Sequence, residues 1–514
     1  MSKTIIIIGA GLAGLSAALQ AAENGCNVKL VSSLPSERAQ SVMAEGGINA
    51  ALNTKDENDS PEEHFTDTIK AACGLADPNA VWGMTQAAPE LVHWLLKLGV
   101  KFNMSGYDDV DLRNFGGQKK KRTAFAQSDT GKQIMTAMID AVRRKEASGM
   151  VERFSHHSFL TLRLCGNICC GCVIRDEYSQ EIVELPGDAV IVATGGMHGL
   201  FGNTTGSLSN TGEVTAELFR LGVPLANGEM IQYHPTTVKC GGKRMLISEA
   251  ARGEGGRLFA MKDGKQWYFM EEKYPELGNL MPRDITAREI WKVSHESEVF
   301  LDMTEISEEI ISNKLSGLAD DCMTYLHKDI RKEPVSVLPG IHYFMGGILV
   351  DEQHRTPIQN LCAAGECCAQ YHGANRLGGN SLLGALYGGR VAAKSACEQA
   401  DVVDLSCATQ IDFPPASQIS EIKQLNKVMQ ETMGVVRNEN TLLNGIQTVQ
   451  ALTGNLPLLG MAVLKSALAR KESRGAHWRE DYPKSNDDDY LKTTVARFDG
   501  KQIQISFVPV PERR

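Results

Sequence analysis

The 514-residue sequence lacks a long hydrophobic run, an excess of positive charge and a leader-like start. No apolar run reaches the roughly 18 residues that span a bilayer, so any membrane attachment must come through another subunit. The formal net charge of −9 argues against nucleic acid as a partner. Residues 1–4 lead directly into an apolar stretch, and we expect no export signal. These absences favour a cytoplasmic protein and leave open a place at the inner face of the cell membrane through partner subunits.

Cysteine patterns typical of metal and redox centres are also missing. The chain has no CxxCH for haem, no cysteine run for a cluster and no second nucleotide motif for NADH. Electrons must therefore come from a partner or a soluble reductant. Cys165, Cys169, Cys170 and Cys172 match no pair of C-x2-C motifs, and their alternation predicts a hairpin with core cysteines and no metal site. The thirteen cysteines indicate reduced thiols, and we expect no disulfides.

A glycine-rich turn at the start of the chain is the strongest positive signal. The apolar run that begins at Thr4 ends in Gly9, Gly11 and Gly14 and continues into a helical pattern that stops at Gly25. Strand, tight turn and helix in this order predict a dinucleotide site, with the pyrophosphate at the helix N-terminus.

Other segments of the same nucleotide fold are less complete. Ser32 follows the second strand where an acidic residue usually holds the ribose, so that contact stays open. Gly46 and Gly47 form a loop that could lie against a flat ligand. A buried strand ends at Gly195, and a later strand ends at Glu366, which we expect to take the ribose hydroxyl.

This order of segments predicts an α/β protein with a Rossmann-like domain that is interrupted by an α+β capping domain. A small helical domain follows, and residues 502–510 alternate like an edge strand. The predicted boundaries are 1–228 with 338–405 for the nucleotide-binding domain, 229–337 for the capping domain, 415–480 for the helical domain and 481–514 for a C-terminal tail.

Histidine, arginine and glutamate lie beside glycine or proline in several later segments. These are 231–236, 248–256, 282–284, 341–347 and 372–383. Any one of them alone is as well explained by a salt bridge or a helix cap. Two histidines and several arginines next to a nucleotide fold together predict a pocket for a small anion with more than one carboxylate. The basic run 119–122 is interpreted as a solvated loop.

The motifs in these segments resemble one family. HPT at 234–236, SEAxRGEGG at 248–256, PRD at 282–284, HYxMGG at 342–347, AAGE at 363–366 and GANRLGGNSLL at 373–383 occur in the order found in succinate dehydrogenase and fumarate reductase flavoprotein subunits. L-aspartate oxidase is a relative of that family. The resemblance extends to 473–477 and implies FAD, a capping domain, an iron–sulfur partner subunit and interconversion of an unsaturated and a saturated dicarboxylate.

The resemblance also implies roles for particular residues. His234, Ser248, His342 and Arg376 would hold the two carboxylates. The flavin would be lined by Gly9, Gly11, Gly14, Ser32, Gly46, Gly47, Gly195, Glu366, Ser381 and Leu382. Arg283 would donate the proton and regain it through Glu249 and Arg252. A helix that starts near Asn380 would aim its N-terminus at the pyrimidine edge of the flavin.

Two departures from the family pattern qualify the expectation. Gln40 stands where membrane-bound members place the histidine that bonds to the flavin, which implies non-covalent FAD and favours fumarate reduction over succinate oxidation. Phe344 replaces a common threonine and is expected to reshape the pocket beside His342. L-aspartate oxidase, a reductase of another unsaturated carboxylate, and a flavin-bound assembly module remain as alternatives. The loop 115–118 with 122–126 looks more like the reductase form than the oxidase form.

Overall fold

The structure is a computed structural model that describes residues 2–106, 109–399, 413 and 418–514. The strands in chain order are β1 Thr4–Ile8, β2 Asn27–Ser32, β3 Ile48–Asn49, β4 Leu112–Arg113, β5 Thr123–Ala124, β6 Val151–Ser155, β7 His157–Cys165, β8 Ile168–Asp176, β9 Ile182–Pro186, β10 Ala189–Val192, β11 Leu225–Ala226, β12 Ile231–Cys240, β13 Lys243–Leu246, β14 Arg257–Lys262, β15 Lys265–Trp267, β16 Val299–Asp302, β17 Val335–Ser336, β18 Leu338–Phe344, β19 Gly347–Leu349, β20 Leu361–Ala363, β21 Cys368–Ala369, β22 Lys492–Phe498 and β23 Ile503–Pro509. The helices are α1 Leu12–Glu23, α2 Pro61–Ala71, α3 Pro78–Lys97, α4 Thr130–Ala147, α5 Glu213–Arg220, α6 Glu249–Gly253, α7 Phe269–Lys273, α8 Arg283–Val293, α9 Glu308–Lys314, α10 Ser316–Asp321, α11 Asn380–Gln399, α12 Ile419–Thr432, α13 Glu439–Gln450, α14 Asn455–Ala469 and α15 Asp487–Tyr490.

A parallel sheet in the order β20-β10-β1-β2-β6 forms the centre of the nucleotide-binding part. The isoleucines of β1 are almost completely buried, as expected for a parallel strand that is covered on both faces. A Cβ atom on Gly9, at φ +110°, would lie 2.3 Å from the Ala193 carbonyl oxygen, and one on Gly14 would lie 1.8 Å from the Gly9 carbonyl oxygen. Only glycine fits at both positions, and the predicted strand, turn and helix are confirmed.

The capping part combines two sheets with short helices. One sheet has the order β13-β12-β18 and the other β15-β14-β16-β17. The second sheet packs with the neighbouring helices around a separate hydrophobic cluster that includes Leu258, Ile290 and Leu301. This part is inserted between β10 and β20 of the central sheet, so the chain has the predicted interrupted α/β architecture.

Helices α12, α13 and α14 form the helical part near the C-terminus. Leu425, Met429, Leu442, Leu459 and Val463 lie in one buried cluster between them. β22 and β23 then form an antiparallel hairpin that extends the sheet β21-β19-β11. β23 lies at the edge of this sheet, which confirms the edge strand predicted from alternation.

Two expectations about surface and thiol chemistry are wrong. The last residue of the basic run, Arg122, is fully buried and pairs with Asp59 and Asp67, so the run is not a uniformly solvated loop. Cys165 is disulfide-bonded, contrary to the expectation of reduced thiols throughout. Cys169, Cys170 and Cys172 are free and buried in the hairpin of β7 and β8, as predicted. None of the helices in the described ranges combines the length and the apolar character needed to cross a bilayer.

Candidate active site

One cavity of about 550 Å³ runs from the carboxyl ends of the central strands to the capping part. Its lining includes nearly all residues that the resemblance assigned to the flavin, namely Gly9, Gly11, Ser32, Gly46, Gly47, Gly195, Glu366, Ser381 and Leu382. The lining also includes His234, Ser248, His342, Arg376, Glu249 and Arg283. Gly14 lies behind the wall against Gly9, and Arg252 lies behind Glu249. The structure therefore brings the predicted cofactor and substrate residues to one continuous cavity.

The cavity wall at β1 and β2 suits a dinucleotide. A Cβ atom on Gly11 would have only side-chain atoms of Ser41 and Ala39 nearby, at 3.7 and 3.8 Å, so a ligand can approach the backbone closely there. The start of α1 borders the same region; Leu12 N donates to Ser41 Oγ at 3.3 Å, and the amides that follow it in the first turn favour a phosphate. Ser32 Oγ is buried and has no hydrogen-bond partner among the described residues, which leaves it free to bind a ligand. These residues fit FAD.

Local sequence explains how the ionic residues reach the cavity. Ser248 caps α6 with its Oγ accepting from Ala250 N at 3.4 Å, and Glu249 then begins that helix. Arg283 is the first residue of α8, directly after Pro282. Because both helices start at the cavity, their first side chains meet there although the two residues are far apart in the chain.

Glu249 binds two arginines inside the protein. Arg283 donates through Nε at 2.8 Å and through Nη2 at 2.6 Å to the same carboxylate oxygen of Glu249. The other Glu249 oxygen accepts from Gly116 N at 3.1 Å and lies 3.4 Å from Arg252 Nη2. Burial alone would raise the pKa of Glu249, but Arg283 and Arg252 together lower it, so this carboxylate is ionised at neutral pH.

His234 and His342 lie on the adjacent strands β12 and β18. Their ring centroids are 5.2 Å apart, and His342 Nδ1 is bonded to Thr205 Oγ1 at 2.8 Å. Burial, and then for His234 the neighbouring Arg283, lowers the pKa of both histidines well below the usual value, so both rings are neutral. His234 Nε2 has no partner within the part of the chain that the structure describes. In the tautomer whose Nδ1 accepts from Thr236 N at 3.3 Å, Nε2 carries the proton and can donate a hydrogen bond to a ligand.

Arg376 completes this end of the cavity. Its guanidinium carbon lies 4.3 Å from the centroid of the Tyr343 ring, and its Nε is buried without a described partner. Burial and the nearby Arg283 lower the pKa of Arg376 to about 9, which still leaves it a cation at pH 7. Arg376 with its unused Nε, together with the cation Arg283 on the same cavity, provides a site for an anion with two carboxylates.

One contributing residue, Gln232, was missed in the sequence. Gln232 accepts from Arg283 Nη1 at 3.1 Å and donates to the carbonyl oxygen of Arg376 at 2.8 Å, so it links the two arginines. Its place two residues before His234 on a strand was an available signal, because alternate strand residues share a face. Phe344 was expected to reshape the pocket, but it packs 5.6 Å from Phe201 in a core cluster and lies outside the cavity lining.

Comparisons with known proteins agree with this geometry. Residues 4–382 match the family model described as FAD binding domain, and residues 452–513 match fumarate reductase flavoprotein C-term. The succinate dehydrogenase flavoprotein subunit of Bacillus subtilis is 38% identical over 100% of this chain and 98% of its own. The 8-methylmenaquinol:fumarate reductase flavoprotein subunit of Wolinella succinogenes is 32% identical over 100% and 92%. The FrdA chain of an E. coli quinol fumarate reductase variant superposes with a TM-score of 0.90, at 27% identity over 99% and 97%.

The fold, the dinucleotide wall and the family model together define an FAD-dependent oxidoreductase. The agreement with relatives over the whole length then settles the family. The chain belongs to the succinate dehydrogenase and fumarate reductase flavoprotein family.

Proposed function

We propose that this chain is the flavoprotein subunit of a fumarate reductase, which reduces fumarate to succinate with FAD held non-covalently. The observation that carries the proposal is the buried ion pair between Arg283 and Glu249, which opens on the same cavity as Arg376, His234 and His342. A dicarboxylate in this position would meet two cations and two neutral imidazoles.

Bound FAD would supply the hydride for one alkene carbon. The residues of the chain would then hold the carboxylates and supply the proton. Arg376 and the free Nε2 of His234 would bind a carboxylate and draw charge towards it, which polarises the double bond. Both groups are fixed before the substrate enters, so little reorganisation is needed.

Arg283 would act as the proton donor at the other carbon. Its guanidinium normally keeps its proton at neutral pH, so a route for reprotonation is needed. Glu249 bridges Arg283 and Arg252 on opposite oxygens of one carboxylate. Burial first, and then Arg283, lowers the pKa of Arg252 in spite of the Glu249 charge, so its proton is easier to release than in water.

Non-covalent attachment follows from Gln40. This residue begins a 3₁₀ turn, Gln40–Met43, and lines the cavity. A glutamine side chain has no nucleophilic nitrogen for a bond to the flavin. Acid precipitation should therefore release all the flavin into the supernatant.

The proposal also includes a partner subunit as the electron donor. The B. subtilis and W. succinogenes relatives are named flavoprotein subunits, and we infer that this chain likewise works with an electron-transfer subunit, an iron–sulfur protein being the expected partner. Such a partner would also provide the attachment to a membrane.

The test is anaerobic reoxidation of dithionite-reduced flavoprotein by fumarate, followed at the flavin absorbance. Rapid reoxidation in the wild type, lost in Arg283→Ala, is expected. Arg288→Gln is the matched control, because Arg288 lies on the same helix but stacks on Trp478 at 3.9 Å. Formation of iminoaspartate from L-aspartate with oxygen would instead assign an oxidase. Reoxidation by another unsaturated carboxylate alone would change the substrate.

A further inference from the structure

The start of α11 is held by a buried polar network that the proposed mechanism does not use. Gly379, Ser381 and Leu382 line the cavity, so the first turn of α11 borders the cofactor space; Asn380 N donates to the Leu377 carbonyl oxygen at 3.3 Å, and the amides after it are the ones available to a ligand. The contacts that fix this turn also fix the position of its backbone amides relative to the flavin.

Asn49 contacts three consecutive residues at that turn. Its side-chain Nδ2 donates to the Gly378 carbonyl oxygen and to Asn380 Oδ1, both at 2.7 Å, and its backbone N donates to the Gly379 carbonyl oxygen at 3.1 Å. A Cβ atom on Gly379, at φ +84°, would lie 2.1 Å from Asn49 Oδ1. The side chain of Asn49 therefore packs directly against the backbone that begins α11.

The orientation of Asn49 is itself fixed from the other side. Its Oδ1 accepts from Thr123 Oγ1 at 2.6 Å and from Gln118 Nε2 at 3.1 Å, and Gln118 Nε2 also donates to the Gly378 carbonyl oxygen at 2.8 Å. Asn49 is fully buried. With both ends of its amide bonded, a single rotamer satisfies all the contacts.

Asn380 is gripped in the same way by α2. His64 Nε2 lies 2.9 Å from Asn380 Oδ1, and Asn380 Nδ2 donates to Thr68 Oγ1 at 3.0 Å. His64 is fully buried, and Thr68 Oγ1 donates to its carbonyl oxygen at 2.8 Å. The network thus ties α11 to β3 and α2 at once.

We propose that Asn49 is a positioning residue that holds the first turn of α11 against the flavin and thereby raises the reduction potential of the bound FAD. Reduction places negative charge on the flavin, and a helix N-terminus stabilises negative charge only within its first turn. A small displacement of that turn would weaken the reduced form more than the oxidised form. The inference rests on the proposed use of this cavity for FAD.

Asn49→Ala is expected to shift the two-electron midpoint potential of bound FAD by about −30 mV, which corresponds to a tenfold loss of preference for the reduced flavin. Spectroelectrochemical titration of the holoprotein without fumarate measures it. Asn426→Ala is the matched control, since Asn426 lies on α12 and donates to the carbonyl oxygen of Gly199 in the 3₁₀ turn His198–Leu200, and to no residue of the Asn49 network. The control should lose stability and keep the wild-type potential.

Gln118→Leu provides a second test if Asn49→Ala binds no flavin. It removes the donors to Asn49 Oδ1 and to Gly378, and we expect a smaller shift in the same direction. An unchanged potential in every variant that binds flavin would overturn the inference, as would an equal shift in Asn426→Ala. The midpoint potential is measured without substrate. If fumarate failed to reoxidise the wild-type flavin, the proposed function would be wrong, but the shift in potential could still be interpreted.

Discussion

Two fully buried arginines, each paired with a glutamate, differ in how many of their donors are used, and only one of them belongs to the proposed proton relay. Arg470 in the C-terminal part donates through all three nitrogens, to Glu229, Glu472 and Thr494 among others. Arg252 in the capping part donates only through Nη1, to the Asn279 carbonyl oxygen at 2.6 Å, and among the described residues its Nε and Nη2 have no hydrogen-bond partner.

A buried donor without a partner destabilises the folded protein. A native structure therefore keeps such a donor mainly where it has a function, such as binding a ligand. All three nitrogens of Arg470 are bonded inside the protein and Arg470 lies outside the cavity lining, so this residue holds the fold. Arg283 lies on a cavity that a charged ligand can enter, and Glu249 joins it to Arg252, whose Nε and Nη2 have no hydrogen-bond partner among the described residues. Burial and charge are the same in both places. The difference lies in saturation and access.

The largest effect should come from removing Arg470, whose donors are all used. Arg470→Met leaves Glu229 and Glu472 buried without their main partner, and removing one member of a buried pair costs about 3–5 kcal/mol. Urea unfolding of the flavin-loaded protein measures this loss. Fumarate turnover per folded molecule should stay at the wild-type value, and a large fall in that turnover would show that the two regions are not separate.

A substitution at Glu249, beside the cavity, should instead lower turnover. Glu249→Gln keeps the shape but removes the charge that joins Arg283 to Arg252, so reprotonation of Arg283 slows. A positioned proton-transfer group contributes about 10² or more, so we expect a fall of about 10²-fold, or about 2.7 kcal/mol. The rate at saturating fumarate is measured per bound flavin, which excludes losses of folded protein. A wild-type rate would remove Glu249 from the relay.

Features that depend on neighbouring residues in the chain could be predicted from the sequence, whereas ion pairs between distant residues could not. The dinucleotide turn was predictable, because Gly14 packs on the carbonyl of Gly9 five residues earlier and Gly9 has φ +110°, and both requirements are local in the chain. The set of His, Arg and Glu residues was found by motif, but their pairing was not, since Arg283 and Glu249 meet only through packing of α6 and α8. Arg122 was misread for the same reason. Its partners Asp59 and Asp67 lie more than fifty residues earlier, and a local charge pattern does not register them.

Buried neutral groups should make stability depend on pH. Burial first, and then the charge of Arg122, lowers the pKa of His64 to about 3, against roughly 6.5 when unfolded. The unfolded chain therefore binds a proton that the folded chain refuses, so the stabilisation is complete above pH 6.5 and falls as the pH drops towards 3. Between pH 7.5 and 5 this residue should cost about 2 kcal/mol.

His64→Gln tests directly how much His64 contributes to the pH dependence of stability. Unfolding free energies of the variant and the wild type are compared at pH 7.5 and pH 5. The loss on acidification should be about 2 kcal/mol smaller in the variant, because glutamine does not titrate. Equal losses in the two proteins would mean that His64 is protonated in the folded state.

The smallest effect should come from the exposed neighbour of Arg122. Lys121 Nζ lies 3.9 Å from Glu57 Oε1, with about half of its side chain exposed, and water screens such a pair. Lys121→Ala keeps the backbone bond from Lys121 N to Glu57 Oε2 at 2.8 Å, so the loop stays anchored. We expect a change below about 0.5 kcal/mol in urea unfolding, against about 3–5 kcal/mol for Arg122→Met one residue later. Comparable losses in the two variants would show that burial does not separate structural from dispensable charges in this protein.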